Sequence, residues 1–219
     1  MIDKFVRSAA EALDGVPDGA TVLLAGFGDV GMAMTLLEGL IEQGARDLVL
    51  VCNSGGRDGS AVARLLTLGR VRKLICSFVR AASDAGRLLT AGRLEVEVVP
   101  QGTLAERIRA AGAGIPAFYT PTGADTVLAE GRELREIAGV PCLLEYPLPG
   151  DVALIDAWQA DRWGNLSYRE TQRNFNPVMA MAAKLTVAQT RHVVALGAIP
   201  PEHVMSPGIF VNRVLHVPG

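Results

Sequence analysis

The sequence predicts an α/β fold: an open, mainly parallel sheet flanked by helices, with a small antiparallel insert. Three observations carry this prediction. Short apolar runs suited to strands buried on both faces alternate with amphipathic helical stretches as far as Val99. Glycine-rich loops follow two of those runs, Gly26-Phe27-Gly28-Asp29-Val30-Gly31 and Asn53-Ser54-Gly55-Gly56. From Gly112 onward Gly and Pro crowd together and the segments shorten, which marks the insert.

Taken in order, Ile2, Phe5, Val6, Ala9 and Leu13 share one helical face, so residues 3–13 read as a leading helix. A turn at Val16-Pro17-Asp18-Gly19 leads to a strand over 21–25. Met32, Leu36, Leu37, Leu40 and Ile41 then recur at helical spacing, and Gly44 suits the C-cap. A second strand over 48–52 completes a βαβ unit. Its two strands end at one sheet edge, where open parallel sheets bind ligands. Helices over 60–68 and 83–91 alternate with strands over 73–77 and 94–99. Pro100-Gln101-Gly102 turns into a further helix, with Thr103 as N-cap and Glu106 completing a capping box. Residues 134–137 and 140–145 form the insert, and 152–160 return to a core strand. Trp163-Gly164-Asn165-Leu166 reads as a hairpin turn towards 167–169. A helix over 176–183 with Pro177 at its first position precedes a late strand over 185–190. The proline-rich tail, 200–219, is expected to wrap the surface. With no repeat or linker, residues 1–219 read as one domain.

The bulk numbers bound the function. Of 219 residues, 49% are hydrophobic and 20% charged, which is a globular composition and not a disordered one. A net charge of −2 offers no general attraction to nucleic acid or to anionic membrane. No run is long enough for a membrane span, and the N-terminus lacks a signal-like apolar core. Cys52, Cys76 and Cys142 stand alone in apolar runs with no CxxC pair, which suits reduced core thiols and a cytoplasmic location.

Gly26-x-Gly28-x-x-Gly31 has the spacing of a dinucleotide fingerprint, but Cys52-Asn53-Ser54 stands where a ribose-binding acid belongs. Besides a dinucleotide site, two readings of the glycines are open: tight strand–helix packing, or backbone N–H groups that hold a substrate anion. Gln101 lies at the ligand edge, where its amide either stabilises an oxyanion or is simply solvated. His192, His203 and His216 share no metal-binding spacing, so no metal site is expected. No GxSxG or P-loop is present. Arg169, Arg173, Asn174 and Asn176 form a polar cluster, read as an anion site or as a structural hydrogen-bond network.

These blocks resemble a known family. The GFGxxG loop, Asn53-Ser54-Gly55-Gly56, VVPQGTLAERIRAAGAGIPAFYTPTG (98–123), ADRWGNLSYRETQRNFNPVMAMAA (160–183) and SPGIFVNRV (206–214) are similar to the α subunit of 3-oxoacid CoA-transferases. The resemblance runs through nearly the whole chain and is closest to the 3-oxoadipate enzymes, with the acetoacetate enzymes as the alternative. It implies a fold of the CoA-transferase and glucosamine-phosphate-isomerase type. It also implies transfer of CoA from succinyl-CoA to a 3-oxoacid through a glutamyl-CoA thioester. The nucleophilic glutamate belongs to a β subunit in a Ser-Glu-Asn-Gly motif, which this chain lacks, so the resemblance implies an α2β2 or similar heteromer.

By the same resemblance Gln101 stabilises the tetrahedral oxyanion. Gly26, Phe27, Gly28, Gly31, Asn53, Ser54 and Gly102 bind substrate or CoA. No cofactor is implied, since the CoA thioesters are substrates. Ala25, Ala33 and Ser54 depart from the usual family residues at their positions. The acceptor's second carboxylate needs a cationic partner, for which Arg57 and Arg80 are the candidates. Two rival readings are a non-catalytic acyl- or anion-binding protein and a sugar-phosphate isomerase; the second lacks a visible acid–base pair.

Overall fold

The computed structural model describes residues 2–218. The chain opens with a two-residue strand, β1 (Phe5–Val6), and a one-turn helix, α1 (Ala9–Ala12), in place of the single helix predicted over 3–13. Ser8 makes the difference. Its backbone is extended and its hydroxyl accepts the Glu11 N–H, so the helix starts only after it. The predicted alternation then follows: β2 (Thr21–Leu24), α2 (Met34–Gln43), β3 (Leu48–Val51), α3 (Ala61–Thr67), β4 (Val71–Cys76), α4 (Asp84–Thr90) and β5 (Glu95–Val98). Gly44 closes α2 in the left-handed region, with a φ of 90°. The hydroxyls of Ser60 and Ser83 cap α3 and α4.

The next helix, α5 (Gln101–Gly112), begins earlier than predicted. Pro100 is its N-cap, and Thr103, expected in that role, is buried in the first turn. Glu106 accordingly forms no capping box and pairs with Arg109 instead. The insert is a three-stranded antiparallel sheet of β6 (Phe118–Thr120), β7 (Leu134–Ile137) and β8 (Val140–Glu145), with β8 in the middle. The strand β6, held between Pro116 and Pro121, carries too few residues to show a period.

The chain continues with β9 (Gly150–Ala160), β10 (Leu166–Ser167), α6 (Asn176–Ala180), β11 (Ala183–Val193) and β12 (Arg213–His216). Helix α6 is shorter than predicted. Phe175 caps it, and Pro177 stands second in it, not first. The tail does more than wrap the surface, because β12 pairs in parallel with both β11 and β1. Gly219 at its end lies outside the described residues.

The main sheet runs β1-β12-β11-β9-β2-β3-β4-β5, with every pairing along that path parallel and β10 antiparallel to β9. Val22, Leu24, Leu50 and Leu74 pack on α2 and α3 on one face, while Leu23, Val49, Val51 and Ile75 pack with Leu104 and Ile108 of α5 on the other. Burial on both faces is why these strands read as continuous apolar runs. From β2 the chain winds towards β5, and from β9 towards β12. The loops leaving β2 and β9 therefore diverge, which opens a crevice at their C-terminal ends.

All three cysteines are buried and unpaired. Among the described residues no helix is long and apolar enough to cross a membrane. Nor, among them, are three or more His, Cys, Asp or Glu side chains grouped to hold a metal ion.

Candidate active site

The loop leaving β2 is a tight turn in which Phe27 and Val30 exchange backbone hydrogen bonds of 3.0 and 3.3 Å. Gly31 has a φ of 67°, and a Cβ there would lie 2.5 Å from the Gln172 carbonyl oxygen. Gly26 is equally constrained: its φ is 126°, and a Cβ would lie 2.9 Å from that of Met32. Gly28, at the tip, faces open space. The turn leaves Phe27 54% and Val30 50% exposed at the ligand edge, an unusual position for two large apolar side chains.

The loop does not lead straight into a helix, since α2 starts only at Met34. The N–H groups of Thr35 and Leu36 in its first turn donate to the Gln189 Oε1, at 3.1 and 3.3 Å. A protein side chain thus takes the place that the anion-cradle reading reserved for substrate. Gly26 and Gly31 serve close packing.

The polar cluster seen in the sequence is structural in part. Asn174 donates to the Val30 carbonyl at 3.0 Å, and Asn176 donates to the Gly31 carbonyl at 2.9 Å. Asn176 Oδ1 also accepts the Asp156 N–H at 2.7 Å. These two amides clamp the glycine loop from behind. Asp156 itself accepts from Gln189 at 2.9 Å and from Gln172 at 2.6 Å. Burial pushes its carboxyl above the usual carboxylate range. Asp156, Gln172, Gln189 and Trp158, with Arg169 and Arg191, line an open cleft of about 660 Å³ at the switch point. The only hint of Asp156 and Gln189 in the sequence is a polar residue inside an otherwise apolar strand.

On the other side of β2, three loops bring polar side chains together. Asn53 follows β3, Ser77 follows β4 and Gln101 begins α5. Gln101 Nε2 donates to Asn53 Oδ1 at 2.9 Å, and the Ser77 hydroxyl lies 2.7 Å from the same oxygen. Asn53 is buried, 9% exposed, while Gln101 and Gly102 are open to solvent. The second hydrogen on Gln101 Nε2 has no acceptor among the described residues. An amide held in this way is a preorganised donor. Ser77 gives no signal in the sequence because it closes an apolar strand run.

Beside this trio lies a cleft of about 430 Å³. Phe27, Met32, Met34, Val62 and Phe78 give it apolar walls, and Gly28, Ser54 and Gly55 line the rest of it. An isolated bridge between Ser54 and Phe78 joins the two loops. Arg57 and Arg80 both line the cleft, and Arg57 is ion-paired with Asp29. Of the residues assigned to substrate or CoA, Phe27, Gly28 and Ser54 thus line this cleft. Gly31 instead lines the larger cleft, and Gly26, Asn53, Gln101 and Gly102 line neither. Ala25 and Ala33 are fully buried and line neither cleft. His192, His203 and His216 are exposed, and His192 lies edge-on to Trp158.

The ligand edge of this open parallel sheet thus carries an apolar cleft with an oriented amide donor close by. The Coenzyme A transferase family model matches residues 6–216, and the chain belongs to that family. It is 53% identical over 221 residues to the A-type subunit of the 3-oxoadipate CoA-transferase of Pseudomonas putida, covering 100% of this chain and 96% of the relative. It is 47% identical over 213 residues to the corresponding subunit of the succinyl-CoA:3-ketoacid coenzyme A transferase of Xanthomonas campestris pv. campestris, covering 97% of this chain and 88% of the relative. Among solved structures, an acyl-CoA transferase from Escherichia coli O157:H7, in a thioester complex with CoA, superposes with a TM-score of 0.89 at 24% identity. That match covers 98% of this chain and 47% of the other, so the chain spans about half the length of that protein. At that identity the likeness is one of fold.

Proposed function

We propose that this chain is the α subunit of a heteromeric CoA-transferase that moves CoA from succinyl-CoA to a 3-oxoacid, 3-oxoadipate. The observation that carries the reading is the Gln101–Asn53 amide pair beside the apolar cleft. Full-length similarity to a subunit of a 3-oxoadipate CoA-transferase supports the choice of acceptor.

The chain has no Ser-Glu-Asn-Gly segment, so the nucleophilic glutamate is assigned to a β subunit, in an α2β2 or similar assembly in the cytoplasm. Its carboxylate attacks the thioester carbonyl, and the free Nε2 hydrogen of Gln101 receives the negative charge that develops on oxygen. CoA leaves as thiolate, which gives an acyl–glutamyl anhydride. Thiolate attack on the glutamyl carbonyl then releases succinate and leaves the glutamyl-CoA thioester. The acceptor carboxylate takes the CoA by the same steps in reverse. No cofactor enters, because the thioester itself supplies the activation.

The test is co-expression with a β subunit that bears the motif, followed by native mass spectrometry and a panel of acceptor acids. A heteromer with a covalent CoA adduct on the partner and transfer to 3-oxoadipate is expected. A lone homo-oligomer with no transfer would sink the reading. A second reading takes acetoacetate as the acceptor; the 47% identical relative from Xanthomonas campestris, whose name specifies only a 3-ketoacid, is compatible with either. Turnover with acetoacetate but not 3-oxoadipate would establish it.

A further inference from the structure

The apolar cleft carries three charged side chains, Asp29, Arg57 and Arg80. Asp29 and Arg57 neutralise each other across its mouth. Arg80 has no such partner: among the described residues no carboxylate lies within ion-pairing distance of its guanidinium, and its side chain makes no hydrogen bond. Asp58 feels its charge without reaching ion-pairing distance, and its own ion-pair contact is with Arg87, which Asp84 shares.

Only the Arg80 backbone has a structural task. Its carbonyl accepts the Ser83 hydroxyl at 2.6 Å and the Ser83 N–H at 3.0 Å, which sets the turn into α4. The loop that carries it is tied to the amide pair at two points. Ser77 bonds Asn53, and Phe78 bridges Ser54 one residue on. A walled apolar cleft with one surplus positive charge therefore opens beside the oxyanion donor.

We infer that Arg80 is the specificity residue that receives the distal carboxylate of a dicarboxylic acyl group, in both the succinyl donor and the 3-oxoadipate acceptor. This rests on the CoA-transferase reading above. The methylenes of such a chain suit the Phe27, Met34 and Phe78 walls, and a planar guanidinium matches the carboxylate with two parallel hydrogen bonds. Arg57 already has its charge matched by Asp29, so the unmatched charge of the cleft lining is that of Arg80.

The assay compares kcat/KM for 3-oxoadipate and for 3-oxohexanoate, which has the same chain length without the distal carboxylate, in the assembled enzyme. In Arg80→Gln the value for 3-oxoadipate falls about 10- to 100-fold, the range of a lost charge-assisted pair, while that for 3-oxohexanoate stays within about twofold. Arg80→Lys keeps the charge and recovers part of the loss. Equal losses for both acids in Arg80→Gln and Arg80→Lys would mean a structural role and overturn the inference. So would unchanged values, or a larger selective loss in Arg57→Gln. Wild-type enzyme that transfers CoA to no 3-oxoacid would instead overturn the underlying function, and the inference with it.

Discussion

At the scale of single residues, Asn53 holds two loops together with one carbonyl oxygen, which lies within reach of both Gln101 and Ser77. Replacing Gln101 with Ala should lower kcat of the assembled enzyme by about 10²–10³. Assembly should be intact in native mass spectrometry, because the side chain is exposed and bonds only Asn53. Unchanged turnover would remove Gln101 from the site. Ser77→Ala should lower kcat by about tenfold through loss of one hydrogen bond to the amide it positions. In the Gln101→Ala background the same change should do almost nothing, and additive effects would separate Ser77 from catalysis. The cysteines are poor rival nucleophiles. Burial pushes the Cys76 thiol up to about 11 and the Cys52 thiol higher still. A thiol reagent at about pH 8 should label neither until denaturant is added. Gln101 and Asn53 were legible in the sequence because each stands just past a strand run, at the edge where ligands bind. Ser77, Asp156 and Gln189 were not, since their tasks depend on which strands lie side by side.

At the scale of elements, the glycine loop shows how one motif serves two needs. Gly28 and Gly31 both have a left-handed φ, but only Gly31 is walled in, by Gln172, Asn174 and Asn176. Gly28→Ala should cost about 1–2 kcal/mol in urea unfolding, the backbone penalty alone. Gly31→Ala should cost about 2–5 kcal/mol, since a methyl group must also displace the amide clamp. Equal costs would show that the clamp gives way freely. Periodicity found α2, α3, α4 and the strands between them because each is long enough to repeat its pattern. It misjudged the starts of α1 and α5, where the capping residue, Ser8 or Pro100, outweighs the apolar spacing, and the end of α6, which stops at Ala180 and not at 183. The strands β1, β6 and β10 are too short to carry a pattern of their own, and of the three only β10 overlaps a predicted extended segment, 167–169.

At the scale of the whole molecule, Asp151 ties three central strands at their N-terminal ends. It accepts Lys184 of β11 at 2.8 Å and the Thr21 N–H of β2 at 2.9 Å. Those bonds, the lysine first, hold its carboxyl below the usual carboxylate range. A depressed folded pKa gives stability that is full above the unfolded value of about 3.9 and is lost as pH falls through the folded one. Asp151→Asn should therefore lower the urea midpoint near neutrality, and the gap to wild type should narrow as pH falls to about 3. A gap independent of pH would deny the carboxylate this role. The sheet order was the least legible feature at this scale, because no local pattern reveals that β9 lies next to β2. That neighbour has a consequence in time. During synthesis the β2 strand emerges about 130 residues before the Val152 register partner of Val22, and the clamp on Gly31 comes later still. Such distant pairings slow the search for the native state. Refolding should thus restore helical signal early and acyl-binding competence last, after β9 has slotted in beside β2.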